Sequence, residues 1–358
     1  MTVRVALIGL GWAARSIWLP RLRALPGYRV TDLVDANPVV LASVAQELPG
    51  ACRHRDPDEL KPAQVDLAIV AVPNHAHSAV AADLLARGIP VFVEKPVCLS
   101  SAEADRLAGA EAAGGAVLLA GSASRYRADV RALHEVAGTL GEIRHVGATW
   151  VRSRGVPDSG GWFTNRRLAG GGALVDLGWH LLDAITPLLG PAGFDQVAGS
   201  VSADFVRDPE WSAAWKFSRP ATGDADVEDT VRAFLVTEAG LPVSLRASWA
   251  SHEALDSTVL TVEGSAATAT LRCTFGFSPN RAAGSKLTRT EAGETVEVPL
   301  PDEPIGAEYD RQLAGLPARL ADPAARGAAI AETRRSIGVI ERIYASAYTA
   351  RTALAGRR

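Results

Sequence analysis

Val3-Arg4-Val5-Ala6-Leu7-Ile8-Gly9-Leu10-Gly11-Trp12-Ala13-Ala14 is the stretch on which the fold turns. Val3–Leu10 is a short apolar run of the kind that forms a strand buried on both faces. Gly9 to Ala14 then has the form G-x-G-x-x-A, and Ala13–Ala24 continues as a helical pattern. Each small residue has a task in such a turn. Gly9 permits the tight bend, Gly11 lets backbone approach a pyrophosphate, and Ala14 lets the helix pack closely on the strand. The start of that helix, around Trp12 and Ala13, presents N–H groups and the positive end of its dipole to phosphate. Asp35 ends the next strand 24 residues after Gly11, where a carboxylate accepts hydrogen bonds from adenosine ribose hydroxyls. Its charge opposes a 2′-phosphate, and Ala36-Asn37-Pro38 offers no adjacent arginine, so NAD is expected ahead of NADP.

Outward from this turn the alternation continues. Strands are expected at Arg29–Val34, Val65–Val72, Pro90–Val93 and Ala116–Leu119, with helices at Val39–Glu47, Ala76–Ala86 and Ala102–Ala112. Ser100 followed by Glu103 gives the last helix a capping box. Alternating β and α of this kind implies an α/β Rossmann domain with a doubly wound parallel sheet. Beyond residue 124 the rhythm changes. Helices are expected at Ala128–Ala137, Gly172–Leu189, Ala307–Leu320 and Ala324–Ala353, and strands at Ile143–Ser153, Gln196–Val206, Val231–Thr237, Pro242–Trp249, Ser257–Val262 and Thr268–Arg272. Glu238-Ala239-Gly240 reads as a hairpin turn. The expected division is 1–123 for the dinucleotide-binding domain and 124–358 for an α+β domain with a largely antiparallel sheet, whose C-terminal helices can pack back on the first domain.

The bulk properties exclude several classes. A chain of 358 residues is long enough for two domains, and 47% hydrophobic with 22% charged residues is ordinary for a globular protein. A net charge of −3 leaves no electrostatic footprint for nucleic acid or an anionic membrane. No apolar stretch reaches bilayer length, and the N-terminal run lacks the basic start of a signal peptide. Cys52, Cys98 and Cys273 lie far apart, form no disulfide framework and have no metal-ligand spacing, so no metal is expected and a reducing cytoplasm is the natural setting.

Three further segments carry a pattern: Val72-Pro73-Asn74-His75-Ala76-His77, Glu94-Lys95-Pro96, and Gly170-Gly171-Gly172-Ala173-Leu174-Val175-Asp176-Leu177-Gly178-Trp179-His180. With the glycine turn, and with Val227-Glu228-Asp229-Thr230 further on, the ordered set resembles the glucose-fructose oxidoreductase / inositol dehydrogenase / rhizopine-catabolism (Gfo/Idh/MocA) family. The resemblance implies hydride transfer between a nicotinamide and a secondary hydroxyl or ketone of a sugar, cyclitol, nucleotide sugar or aminoglycoside-like polyol. It implies a catalytic lysine at Lys95 and an acid–base pair at Asp176 and His180. It also implies a nicotinamide side lined by Pro73, Asn74, His77 and Glu94, although the residues alone read His75 and His77 equally as a solvated helix start. It implies, too, an aromatic near the substrate at Tyr126 and assembly into a homodimer or homotetramer.

The residues support part of this independently. Lys95 leaves a parallel strand at the carboxyl edge, where an ammonium can stabilise charge on a substrate oxygen; an ordinary lysine there would pair with Glu94. Asp176 and His180 are four apart on an expected helix and share a face, with Asp183 extending the stripe. A plain amphipathic helix would make that stripe a solvated face. The three entering glycines point instead to close approach of backbone to a ligand. Taken with the acid–base pair that the resemblance implies, His180 is expected as the proton acceptor and Asp176 as the residue that binds or orients the reacting group. The loop holding Arg152, Arg154, Trp162, Phe163, Asn165 and Arg166 is either a cover over the substrate, with Trp162 on a sugar face and Arg154 contacting it, or a surface loop with a buried aromatic anchor. The acidic run from Asp204 to Asp229 is either a solvated connection or a preference for an amine-bearing substrate. Two rival functions remain: a glycosidase that uses transient oxidation by NAD, and a sensor that binds sugar and dinucleotide without chemistry. A sensor has no need of Lys95, Asp176 and His180 together.

Overall fold

The computed structural model describes residues 2–157, 161–213 and 225–355. The chain divides into two compact units, one of Met1–Ser122 with Tyr309–Ile337, the other of Ala123–Glu308 with Gly338–Arg358.

The first unit is built on six parallel strands: β1 (Val3–Ile8), β2 (Tyr28–Val34), β3 (Cys52–His54), β4 (Leu67–Val70), β5 (Val91–Glu94) and β6 (Leu118–Gly121). Their order is β3-β2-β1-β4-β5-β6, the doubly wound arrangement with its reversal between β1 and β4. The strands are short and apolar because helices cover both faces; β4 and β5 are buried at every position. The connecting helices are α1 (Leu19–Ala24), α2 (Pro38–Glu47), α3 (Asn74–Ala86) and α4 (Ser101–Gly114). The first crossover differs from the expected uniform helix: Ala14–Trp18 is a π-helical turn that runs into α1. It delivers Trp18, fully buried, edge-on to Phe92 at 4.9 Å and to Tyr309 at 5.5 Å. Ser100 Oγ accepts from Glu103 N, but the Glu103 carboxylate accepts from Leu99 N, one residue before the partner a capping box would use. The edge strand β3 was not expected; it is only three residues long and carries Cys, Arg and His.

The C-terminal segment closes this unit. It contains most of α8 (Ala307–Ala321) and the start of α9 (Ala328–Ala355). The Tyr28 hydroxyl donates to Leu313 O at 2.5 Å, Gln312 Nε2 donates to Ala120 O, and the Glu111 carboxylate joins Leu118 N to Gly327 N.

The second unit holds eight strands: β7 (Ile143–Val151), β8 (Phe194–Ser202), β9 (Thr230–Thr237), β10 (Pro242–Ser248), β11 (Ser257–Gly264), β12 (Thr268–Cys273), β13 (Lys286–Glu291) and β14 (Glu294–Val298). The order is β14-β13-β12-β11-β7-β10-β9-β8; only β10 with β7 pairs in parallel among the described strands. Gly240, at φ +82°, turns β9 into β10 as the sequence suggested. One face carries Val146, Ala148, Trp150, Leu245, Leu260 and Leu271, all buried beneath α5 (Ala128–Ala137) and α7 (Trp179–Leu189). The opposite face carries Arg232, Phe234, Thr149 and Thr261, and Phe234 is 50% exposed. The fold class expected from sequence, a Rossmann sheet followed by a mostly antiparallel one, is therefore the one observed. The hairpin β13–β14 was not expected.

Packing in the first unit makes one position testable. A Cβ on Gly114 would lie 1.7 Å from Leu85 O, so α4 approaches the end of α3 only as glycine. Gly114→Ala should cost about 1–3 kcal/mol through forced backbone movement. Circular-dichroism melting should show this as a midpoint lowered by roughly 2–10 °C; an unchanged midpoint would contradict the packing.

Candidate active site

The glycine turn is assembled as the sequence implies. Gly9 sits at φ +80°, and a Cβ there would meet Ala71 O and Val72 N at 2.7 Å. Gly9 is thus required by the protein itself. Gly11 is different: a Cβ there meets nothing within 4 Å, so no neighbour in the chain demands glycine. A ligand passing against the backbone would. Trp12 stands at the helix start 51% exposed, while Ala14 is buried. Asp35 is half-buried at the end of β2; its Oδ2 accepts from Leu10 N and its Oδ1 from Asn37 N, both at 2.8 Å. These two bonds aim the carboxylate at the turn. Arg55 reaches Ala36 O at 3.4 Å, bringing beside Asp35 a cation that a reading of positions 36–38 alone does not find. An open cradle at Gly11, an acid at the strand end and a helix start fit a dinucleotide.

At the carboxyl edge of β5 the pattern separates into exposed and supporting residues. Lys95 is half-buried, and its N–H donates to Glu94 Oε2 at 2.9 Å. Glu94 turns inward; its Oε1 accepts the Trp18 indole N–H at 2.7 Å. Burial pushes the Glu94 carboxyl above its usual range, against the pull of the Lys95 ammonium and these hydrogen bonds. With both oxygens engaged by protein, Glu94 supports the strand end. Of the other residues assigned to the nicotinamide side, Pro73 is exposed, and Asn74 and His77 are buried. The His77 ring nitrogens face Pro96 O and Val72 O at 2.6 and 2.8 Å, so this ring too is engaged within the protein.

In the second unit the three glycines lead into a π-helical turn, Leu174–Gly178, which continues as α7. Their close neighbours are protein groups. A Cβ on Gly172 would lie 1.7 Å from Glu228 O, and one on Gly171 would lie 2.0 Å from the Tyr344 hydroxyl. The Glu228 side chain caps the entry from 56 residues away: its Oε1 accepts from Gly172 N and Leu174 N at 3.0 Å and from the Tyr344 hydroxyl at 2.8 Å. Burial raises the Glu228 carboxyl, opposed by these donors, and Arg166 lies 3.8 Å from Oε2. Asp226 accepts from Arg166 N. Two acids of the run that could have favoured an amine-bearing substrate, Asp226 and Glu228, therefore serve the fold; Asp204 and Glu210 are exposed, and Asp224 lies outside the described residues.

Asp176, within that turn, is buried, and its Oδ2 accepts the Trp249 indole N–H at 2.9 Å. The Arg152 guanidinium is 3.9 Å from the same oxygen and lies over the Trp150 ring. His180, half-buried, packs against Trp150 at 5.7 Å between ring centres, and its Nδ1 is 2.9 Å from Ser124 Oγ. Asp176 and His180 thus border one wall made by Trp150 and Arg152, and the stripe is not a solvated face. Asp183 is buried in a pair with Arg125 at 2.6 Å. Trp162 reaches this region through Phe163, at 4.6 Å, which in turn lies 6.3 Å from Trp249. Arg154 is exposed and stacks on Trp211 at 5.3 Å; Arg152, two residues earlier, is the arginine at Asp176. Tyr126 is half-buried at the end of the 3-10 turn Ser124–Tyr126. Ser124, Trp249 and Glu228 were not singled out as site residues, since nothing near them in sequence marks them as partners of His180, Asp176 or the glycine entry. Among the described residues, no group of three or more His, Cys, Asp or Glu could hold a metal, and no helix is long and apolar enough to cross a membrane.

Comparison with known proteins meets this geometry. Residues 3–122 match the profile described as "Oxidoreductase family, NAD-binding Rossmann fold", and residues 129–270 match the GFO/IDH/MocA C-terminal domain. The chain belongs to the Gfo/Idh/MocA family. It is accordingly an oxidoreductase with a nicotinamide-dinucleotide-binding Rossmann domain. A family member from Amycolatopsis mediterranei (strain S699), which carries the provisional name UDP-kanosamine synthase oxidoreductase subunit, is 56% identical over 98% of each chain. D-glucoside 3-dehydrogenase of Escherichia coli (strain K12) is 31% identical over 52% of this chain and 54% of its own length. The solved structure of GenD2 from gentamicin A biosynthesis, in complex with NAD, shares the fold with a TM-score of 0.76 at 24% identity, covering 97% of this chain and 94% of its own.

The Glu228 cap makes a quantitative prediction. Glu228→Ala leaves two backbone N–H groups and the Tyr344 hydroxyl without their buried acceptor, and should destabilise the protein by about 2–5 kcal/mol. Glu228→Gln keeps an acceptor oxygen and should lose markedly less. Urea unfolding of both variants measures this, and an alanine variant as stable as the parent would remove the cap from the account.

Proposed function

We propose that the protein oxidises a secondary hydroxyl of a nucleotide-linked hexose to the ketone with NAD, the reverse reduction using the same groups. The observation that carries the chemistry is the holding of His180. With Nδ1–H donating to Ser124 Oγ, the other ring nitrogen presents its lone pair and takes the hydroxyl proton. The Asp176 carboxylate, held by the Trp249 N–H, orients the substrate by accepting from a hydroxyl. The Lys95 ammonium donates to the oxygen as it becomes a carbonyl. Gly9, Gly11, Trp12, Ala13 and Asp35 bind the cofactor, which when bound accepts hydride from the carbinol carbon. Tyr126, Trp162 and Arg152 supply substrate contacts; the stacking of Arg154 on Trp211 leaves it a smaller share.

The substrate class is supported by the relative named for UDP-kanosamine synthesis, which aligns with 98% of this chain. Replacing a sugar hydroxyl by an amine requires a ketone that an amine can condense with, and this family's hydride transfer makes one. Three free cysteines suit a cytoplasmic setting. A homodimer or homotetramer is favoured by the sheet face bearing the half-exposed Phe234. Light scattering at micromolar concentration should give a mass of at least twice 37.5 kDa; a monomer alone would refute the assembly.

Incubation with UDP-glucose, free hexoses, amino sugars and cyclitols, each with NAD or NADP and monitored at the NADH absorbance, tests the reaction. Turnover is expected with the UDP-hexose. Glycoside cleavage without net NADH would instead identify the transient-oxidation glycosidase, and binding without turnover the sensor. His180→Ala should lower the chemical step roughly 10²–10⁴-fold and flatten the acidic limb of the pH profile, where imidazolium cannot accept a proton. Parental turnover and profile in that variant would exclude His180 as the base.

Cofactor choice is a separate measurement. NAD should bind more tightly than NADP because Asp35 repels a 2′-phosphate. Asp35→Ser should narrow the gap, and adding Arg55→Ala should reopen it. Tighter NADP binding by the parent would overturn the assignment.

A further inference from the structure

We propose that His77 is a positioning residue that sets the strand-end loop carrying Lys95. This deepens the reading above and rests on Lys95 acting in the hydride step.

β4 and β5 pair in parallel only as far as Val70 with Val93. Each strand runs into a proline, Pro73 after β4 and Pro96 directly after Lys95. Proline has no N–H, so two backbone donors that could tie the loops together are missing at the edge where Lys95 emerges. His77, in the first turn of α3, stands between them. Its Nδ1 lies 2.6 Å from Pro96 O and its Nε2 2.8 Å from Val72 O, and the ring is 1% exposed. One imidazole thus spans the end of β4 and the residue that follows Lys95. Carbonyl oxygens only accept, so the ring holds one by an N–H when neutral and both when protonated. Burial, the Lys95 ammonium and His75 push the imidazole pKa down, and the two carbonyls push it up. With a proton on Nδ1, in that neutral tautomer or in the imidazolium, the ring anchors the carbonyl one residue from Lys95.

That anchoring has a defined consequence. Cofactor contacts come mainly from Gly9, Gly11 and Asp35, which His77 does not touch in any described hydrogen bond. Losing the clamp should leave NAD affinity nearly unchanged and lower the chemical step roughly 10- to 100-fold, because a displaced Lys95 ammonium no longer meets the reacting oxygen. Substrate KM should change much less than kcat. His77→Gln retains an N–H donor and should recover part of the loss seen in His77→Leu.

The deciding experiment is a double-mutant cycle with Lys95→Ala. It is read by single-turnover NADH formation with UDP-glucose, or with whichever polyol turns over. If His77 acts through Lys95, then His77→Leu adds no further loss in the Lys95→Ala background. Should His77→Leu fail to fold, as its NAD titration and melting would reveal, His77→Gln takes its place in the cycle. Losses that multiply across the cycle would overturn the positioning role. Parental activity in Lys95→Ala would instead overturn the reading of Lys95 beneath it, an outcome the single mutant reveals alone.

Discussion

A buried carboxylate at the start of a helix is the constraint on which the second unit depends. Four N–H groups at a helix N-terminus need acceptors, and here the residues from Gly171 onward are buried. Glu228 meets two of them with one oxygen while taking the Tyr344 hydroxyl on that same oxygen. The arrangement works only because Gly171 and Gly172 have no side chains, since any Cβ would fall on Tyr344 or on the Glu228 backbone. Glycines that suggest a ligand when read along the chain are in fact a socket for the protein's own acid. Glu228 then fixes where Asp176 and His180 emerge one and two turns later.

A second layer of constraint acts on those two side chains. Asp176 is buried yet remains an acceptor because an indole N–H and a guanidinium face its Oδ2. His180 has one ring nitrogen committed to Ser124 and one face against Trp150. Orientation of this sort is what proton transfer needs, since a base that rotates freely spends little time aligned with its donor. The first unit applies the same principle: Glu94 and His77 are recruited from the motif, turned inward and used to hold the peptide on which Lys95 sits.

By itself the sequence determined the order and class of most of the elements, and the turn at Gly9–Ala14. Those signals are local. A parallel strand covered on both faces must be apolar throughout, and a left-handed turn beside a neighbouring strand excludes any Cβ at Gly9. The strand–turn–strand of Gly240 was readable for the same reason. Its counterpart at Ala292-Gly293 was not, although both residues take positive φ, because β13 and β14 carry Lys, Thr, Arg and Glu on largely solvated faces and show no apolar alternation. The motif positions Lys95, Asp176 and His180 were legible as chemistry-bearing types. Tertiary structure alone decided which of their neighbours are engaged by other protein groups. Ser124 meets His180 across 56 residues, Trp249 meets Asp176 across 73, and Glu228 meets Gly172 across 56. Such pairings leave no mark in a local window, because the hydrogen bond is selected by where the fold brings two distant segments together and not by the spacing of residues along the chain.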